Sequence, residues 1–321
     1  MRLRSLLAAF AALAALSLPG FAAYPEKPIR LIVPSAPGGA PDILMRVLAA
    51  QLSAQMGVPF IIENKPGGSY VIGTSELVRA APDGYTLAYG NIVSLATNRS
   101  LLAKVPYDVD KDLTLISNAL LVVNLLVVNN KLPVTSVREL IAYAQSNPGK
   151  LVMASSGNGT TSHLGGELFQ SMTNTKMLHV PYKAATGAIN DVIGGEAHVM
   201  MENSPVLGPH VKSGRLRALA ISGSQRMSAY PDIPTIAEAG VPGFEVVAWG
   251  GIIGPAGMQK EIVARLNSEI RKALAAPTVR ERFKALDAEP DPSTPEEFRE
   301  RSRRETAKWA EIVRISGAKV D

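Results

Sequence analysis

Short β-branched and apolar runs alternate along the chain with segments whose apolar residues recur at helical spacing. Ile29 to Pro34 is the first run. After a loop, Pro41 stands where a first helical residue belongs, and Leu44, Val47, Leu48 and Leu52 line one face before Gly57 stops the helix. Phe60-Ile61-Ile62, a Lys65-Pro66-Gly67-Gly68 loop, a helix near Thr74 to Ala81, a Pro82-Asp83-Gly84 turn and the strand Tyr85 to Tyr89 complete a βαβαβ series. Such alternation predicts an α/β fold in which a mostly parallel sheet carries helices on both faces and ligands bind outside the carboxyl ends of the strands.

The long apolar stretch Leu113 to Val128, interrupted by Asn124, reads as extended chain crossing between two lobes. A helix follows, opened by a capping box from Ser136 to Glu139 and closed by Asn147-Pro148-Gly149. A second βα series then runs through Leu151 to Ala154, a glycine loop, a helix from about Ser162, Met177 to Val180, a helix near Ala188 to Ile193, His198 to Met201, a helix near Val206 to Val211, and Leu216 to Ile221. Val246 to Ile253 has the length of a second crossing. Helices at about Gln259 to Ala275, Thr278 to Leu286 and Pro295 to Ile315 end the chain, the last with Thr294 and Glu297 as a capping box. Residues 24–125 and 246–321 are therefore expected to form a discontinuous lobe 1 and residues 126–245 lobe 2, joined by a two-strand hinge able to close. A mature chain of about 298 residues also exceeds what one hydrophobic core usually serves.

Two loops of one make, Ser35-Ala36-Pro37-Gly38-Gly39 and Ser155-Ser156-Gly157-Asn158-Gly159-Thr160, each follow an apolar strand and lead into an amphipathic helix. A helix start leaves backbone N–H groups without partners and carries partial positive charge, and glycines let an anion approach closely. The pairing predicts one anion held between two lobes by backbone amides.

Residues 1–22 have the parts of a secretory signal: Arg2 and Arg4, an apolar run from Leu6 to Leu18, then Pro19-Gly20-Phe21-Ala22, with cleavage expected after Ala22 or Ala23. The apolar core is short for a bilayer span, an uncleaved anchor being the alternative, and no later run reaches the ~18 residues a transmembrane helix needs. The absence of cysteine excludes disulfides, thiolate metal sites, a thiol nucleophile and a lipoprotein anchor. Free diffusion in a periplasm fits best. Of the formal charge of +5, two units belong to Arg2 and Arg4, which leaves too little for a nucleic-acid protein. Arg299 to Arg304 alternates with Glu297, Glu300 and Glu305 and reads as a solvated helix face.

No G-x-S-x-G elbow, H-E-x-x-H, P-loop or complete G-x-G-x-x-G occurs. His163, His179, His198 and His210 all fall in lobe 2, and none is read as having a partner at i+2 to i+4 suited to a metal. No metal or cofactor is expected. His163, at a helix start after the glycine loop, is either a ligand contact or a cap or core residue. Asp42 either satisfies the positive end of its helix or orders the loop and holds a bridging water. Lys183 either offers charge to an acidic ligand or is solvated. Glu202, at the carboxyl end of a strand, is either a contact for a ligand's amine or hydroxyl or a hinge or cap group.

The run Pro25-Glu26-Lys27-Pro28-Ile29 with Val33-Pro34 and Pro37-Gly38-Gly39-x-x-Asp42, then Glu63-Asn64-Lys65-Pro66-Gly67 and Ala81-Pro82-Asp83-Gly84-Tyr85-Thr86-Leu87, resembles the Bug-type receptors of tripartite tricarboxylate transporters. Val105-Pro106-Tyr107-Asp108, Ser155 to Thr160 with His163-Leu164, His179-Val180-Pro181-Tyr182-Lys183, Pro234-Thr235-x-x-Glu238 through Phe244, and Glu305-x-x-Lys308-Trp309 continue the resemblance in order over the mature chain. It implies a two-lobed periplasmic-binding-protein (Venus flytrap) fold, a monomer that closes on a small carboxylate and delivers it to membrane permease subunits. By position it implies ligand contacts at Ala36, Pro37, Gly38, Gly39 and Asp42, at Ser94, at Ser156, Gly157, Asn158, Gly159, Thr160 and His163, and at Lys183, Ala184, Ala185 and Thr186, beside Glu202 from its own position. The chain departs from the family pattern at Ser69 and Tyr70 and at Ala184-Ala185, where glycines are common, and at Glu202, where aspartate is. These departures narrow the pocket and favour a compact mono- or dicarboxylate over a tricarboxylate. An exported enzyme acting on a carboxylic acid, with His163, Asp42 and Glu202 as candidates, and a sensor presenting ligand to a membrane kinase are the alternatives.

Overall fold

A computed structural model describes residues 24–227 and 229–316. The signal reading of residues 1–22 lies outside the described residues. The first lobe winds as expected: β1 (Ile29–Val33), α1 (Ala40–Met56), β2 (Phe60–Asn64), α2 (Val71–Val78) and β3 (Thr86–Asn91), with β1 parallel to both β2 and β3. Helix α1 begins at Gly39-Ala40-Pro41 and ends at Gly57, whose left-handed backbone places its N–H on the Ser53 carbonyl at 3.1 Å. Leu44, Leu48 and Leu52 face the sheet and are fully buried.

A π-helical turn (Val93–Thr97) and two single-turn helices, α3 (Asn98–Leu101) and α4 (Val109–Asp112), come next; the sequence pattern gave no sign of them. Then β4 (Leu113–Asn129) runs unbroken for 17 residues. Its first part pairs antiparallel with β9 (Val247–Pro255), from Leu113↔Pro255 to Val123↔Val247. Its last part pairs antiparallel with β7 (Val199–Asn203), from Asn124↔Asn203 to Val128↔Val199, and along its other edge with β8 (Leu216–Ile221). The expected crossing is thus one strand that belongs to both sheets and changes partners between Val123 and Asn124.

The second lobe adds α5 (Val137–Ser146), β5 (Val152–Ser155), α6 (Thr161–Thr173), β6 (Leu178–Pro181), α7 (Ala185–Gly194) and α8 (Ser204–Lys212), with β5 parallel to β6 and β7. The wound strands of each lobe are parallel, as the alternation predicts. Only the strands that arrive from the other lobe or from the chain end, β4 in the second sheet and β9 and β10 (Glu289–Pro290) in the first, run against their neighbours.

Three helices close the chain: α9 (Lys260–Ala275), α10 (Pro277–Ala285) and α11 (Pro295–Ser316). The expected capping boxes form: the Ser136 hydroxyl accepts from the Glu139 N–H at 3.2 Å, and Thr294 and Glu297 exchange bonds of 2.8 and 3.2 Å. Helix α11 packs on the π-helical turn, on β4 and on α6. Its Trp309 lies in one continuous apolar cluster with Phe169, Phe244 and Ile253, so this seam joins both lobes.

The junction is stitched by Ser222. Its buried hydroxyl accepts the Asn124 N–H at 2.8 Å and donates to the Val246 carbonyl at 2.5 Å, while its N–H donates to the Asn124 carbonyl and its carbonyl accepts the Val246 N–H. Ser222→Ala removes the acceptor of a buried N–H and the donor to a buried carbonyl, a loss worth about 1–3 kcal/mol. Denaturant unfolding should show that decrease; a change within about 0.5 kcal/mol, the level of an ordinary surface substitution, would contradict the role given to this hydroxyl.

Candidate functional site

A cavity of about 640 Å³ lies between the lobes. Five helix N-termini border it: Gly39, Ala40 and Pro41 of α1, Tyr70 before α2, Thr160 and Thr161 of α6, Ala184 to Thr186 of α7, and Asn203 before α8. Four of these ends have no side-chain cap; only Thr160 caps its helix, accepting the His163 N–H at 3.3 Å. Among the described residues, the only groups with formal charge on the wall are Lys183, exposed, and Glu202, buried. Positive potential here comes chiefly from peptide dipoles and amides rather than cations.

Ala36 to Gly39, Ser156, Gly157, Asn158, Thr160, Lys183 to Thr186 and Glu202 all line this cavity. Asp42, Ser94, Gly159 and His163 do not; each stands behind the wall. The buried Asp42 carboxylate accepts the Gly38 N–H at 2.9 Å and the Asn64 amide at 3.0 Å, and pairs with Arg46 at 2.9 Å. Burial works to raise its pKa, but these three donors outweigh it and hold the carboxyl below its ordinary value. Of the two readings of Asp42, loop ordering matches this geometry. The Ser94 hydroxyl is turned onto the β3 end, accepting the Asn91 N–H at 3.1 Å. Gly159 abuts Leu101 of the first lobe and donates its N–H to His163 Nδ1 at 3.1 Å.

These bonds refine the amide cradle. Of the glycine amides, Gly38 serves Asp42, Gly39 the Ala36 carbonyl, Gly157 the Ser155 hydroxyl and Gly159 the His163 ring. The backbone N–H groups of Ala40, Ser156, Asn158 and Thr161, all residues of the wall, have no such internal acceptor. Gly38, at φ 78°, needs the left-handed conformation; Gly39, at φ −73°, does not. Glycine therefore shapes the turns that expose neighbouring amides.

Wall residues outside the expected set include Tyr70, Tyr89, Asn91, Thr161, Tyr182 and Trp249. Tyr70 was visible in sequence only as a departure from glycine. Its backbone is left-handed, φ 71°, and its phenol is pushed up to about 12, first by burial and then by the charge of Glu202. Burial likewise raises Glu202 above the ordinary glutamate range, against the pull of the Ser156 hydroxyl and the Asn203 N–H. Trp249 stood unremarked within an apolar strand.

His163 has at i+4 a partner that the spacing search missed, Glu167. With His179, these side chains bring donor atoms within 4.8 Å of one another, the one such group among the described residues. The bonding argues against a metal. His163 Nδ1 accepts the Gly159 N–H, which puts the ring proton on Nε2; His179 Nε2 pairs with the Ser155 hydroxyl at 2.7 Å; Glu167 accepts from Gln170 at 3.2 Å. The two rings stack with centroids 4.1 Å apart and planes at 11°, with His163 Nδ1 and His179 Nε2 each already paired within the fold.

The sequence matches the tripartite tricarboxylate transporter family receptor over residues 44–317, and the chain belongs to that family. Protein BugT of Bordetella pertussis is 38% identical over 321 residues, covering 99% of this chain and 98% of its own. An R. palustris protein solved with adipate is 35% identical, with a TM-score of 0.90 over 92% of this chain and 100% of its own. MatC of Rhodopseudomonas palustris, solved with malate, is 29% identical, with a TM-score of 0.85 over 90% of this chain and 100% of its own. The family is one of solute-binding receptors, and among the described residues no helix is long and apolar enough to cross a membrane.

Burial, joined for His163 by the neighbouring ring of His179, lowers His163 to about 3 and His179 to about 4. Unfolded histidines titrate near 6.5, so the unfolded chain takes up more protons below that pH. The contribution of both rings to stability should be complete above about pH 6.5 and decline as pH falls toward 4 and then 3. Proton NMR of the imidazoles should find both rings neutral from pH 8 to 5; titration of either near 6.5 would contradict the packing described.

Proposed function

We propose that the protein is an exported receptor that closes on a small carboxylate and delivers it to a membrane permease of the tripartite tricarboxylate type. The observation that carries this is the convergence of largely uncapped helix N-termini on one interlobe cavity with a single exposed cation on its wall. Such a site attracts an anion without supplying a nucleophile. Adipate and malate in two related structures support a carboxylate as the ligand. Binding rather than turnover is favoured because the histidine nearest the site has its Nδ1 committed to a backbone amide.

The lobes divide at 24–125 with 246–321 and at 126–245, a partition supported by the exchange of β4 partners at Val123 and Asn124 and by the Ser222 stitch to Val246. Residues 1–22 direct export to the periplasm and are removed near Ala22 or Ala23. The wall segments Ala36–Gly39, Ser156–Thr160 and Lys183–Thr186 contact ligand, with Asp42, Gly159 and His163 holding the first two in shape and Ser94 holding the end of β3.

A thermal-shift screen of the mature form should find one stabilising class among mono-, di- and tricarboxylates and aromatic acids, since a ligand at a hundredfold excess over Kd adds about 2.7 kcal/mol. Stabilisation by sugars or cations and by no acid would sink the proposal. Calorimetric titration with the acid so found separates amides from charge. Gly38→Val places a branched residue at φ 78°, breaks the turn and should abolish binding; Lys183→Ala should cost less than about tenfold, as for an exposed charge. The opposite ranking would place recognition on the lysine.

A further inference from the structure

The amides of the loop between β5 and α6 fall into two sets. Gly157 and Gly159 give theirs to acceptors within the fold, the Ser155 hydroxyl at 3.3 Å and His163 Nδ1 at 3.1 Å. Ser156 and Asn158, each one residue earlier, line the cavity, and their N–H groups have no internal acceptor. The first set decides how the second is placed, because an amide plane fixed at one residue limits the rotation of the peptide beside it.

What fixes the first set lies outside the cavity wall. His163 stands on the first turn of α6 and His179 on β6, opposite Met153 of β5, from where it reaches Ser155 two residues along the strand. Neither histidine lines the cavity. Their rings stack with centroids 4.1 Å apart, so each limits the rotation of the other.

The protons of this group can be placed. Ser155 is fully buried and its hydroxyl accepts the Gly157 N–H, so its one proton goes to His179 Nε2, 2.7 Å away. His179 therefore carries its own proton on Nδ1. His163 accepts at Nδ1 and carries its proton on Nε2. The stacked pair holds opposite tautomers. Burial, which keeps both rings neutral, preserves both acceptor lone pairs.

Resting on the carboxylate-receptor reading, we propose that His163 and His179 are positioning residues, an opposite-tautomer pair that fixes the Ser155–Thr160 loop so that the Ser156 and Asn158 amides meet the ligand's carboxylate. His163 acts on Gly159 directly, and His179 acts on Gly157 through the Ser155 hydroxyl. Each ring supplies one acceptor at one place. Asparagine sets its amide oxygen near the position of histidine Nδ1, and glutamine sets its own near that of Nε2, so the two replacements serve the two sites in opposite order.

Calorimetric titration at pH 8 with malate, succinate, adipate, citrate, glutamate and benzoate identifies which of these acids wild type binds tightest, and that acid is then titrated into four variants. His163→Asn should bind it about three- to tenfold more tightly than His163→Gln, the effect of one hydrogen bond. His179→Gln should exceed His179→Asn by a similar factor. A role in filling space alone would favour the same amide at both positions. The dissociation constant is read from the shape of the isotherm, so a partly folded preparation lowers the apparent stoichiometry and leaves the ranking intact. Nitrogen-15 shifts of the wild-type imidazoles should show the proton on Nε2 of His163 and on Nδ1 of His179. One tautomer shared by both rings overturns the pair, and a ranking absent or reversed at either position overturns the part given to that histidine; both leave the receptor reading standing. Binding by none of the six acids overturns the carboxylate reading and the positioning role with it.

Discussion

Strand β4 is the constraint on which the rest depends. A strand that sits inside two sheets must satisfy two sets of neighbours along one backbone, and it does so by changing them at a single step, Val123 to Asn124. At that step Asn124 is the only polar interruption in the run from Leu120 to Val128. Its backbone is tied to Ser222, and its side-chain oxygen accepts from Asn203 at 2.5 Å. One residue thus connects the hinge to the strand end that carries Glu202. Replacing it with leucine would lengthen the apolar run but leave Asn203 without its acceptor at the cavity wall.

The cavity shows how a receptor can hold an anion without a row of arginines. Each glycine loop already contains an acid nearby: Asp42 takes one amide of the first loop, and Glu202 lies beside Ser156 of the second. A carboxylate placed at a helix start neutralises part of the end charge. That arrangement limits how tightly any anion is held, which suits a protein that must release its cargo. It also fixes the turns, because an amide committed to Asp42 cannot rotate toward ligand. Ala40, Ser156, Asn158 and Thr161 are the neighbouring wall residues whose N–H groups have no internal acceptor.

Much of this was legible in the chain because it depends on local rules. The βα alternation, both capping boxes, the proline-led start of α1 and the extended crossing were all readable from spacing and residue type. What escaped depends on contacts between distant segments. Ser94, which the family resemblance put among the ligand contacts, folds back on Asn91. Glu167 lies one helical turn beyond His163, but its relation to His179 required β6 to be placed beside β5. Trp249 resembled any apolar strand residue; only the cavity shows that its N–H lacks an acceptor. The two-residue strand β10 has no periodicity to read and exists through its pairing with Leu120 and Leu121.

The proposed closure would have to move the lobes without breaking what joins them. One polar and one apolar contact link the lobes beside the cavity: the Ser69 hydroxyl donates to the Asn158 carbonyl at 3.1 Å, and Leu101 packs on Gly159. On another side, Asp287 accepts from Lys212 at 3.1 Å and Tyr230 at 2.6 Å. The neutral bond contributes only about 0.5–1.5 kcal/mol and each bond to the Asp287 carboxylate about 1.5–3 kcal/mol. The seam of α11, with Trp309 among Phe169 and Phe244, is different. It is apolar, buried and continuous with both lobes, and separating it would expose several large side chains at about 1.5–3 kcal/mol apiece. A motion cheap enough for ligand to control must therefore rotate about an axis near α11 and β4, opening the Ser69 side while leaving the tryptophan seam packed. Ligand then sets the equilibrium through its differential contacts with the two walls.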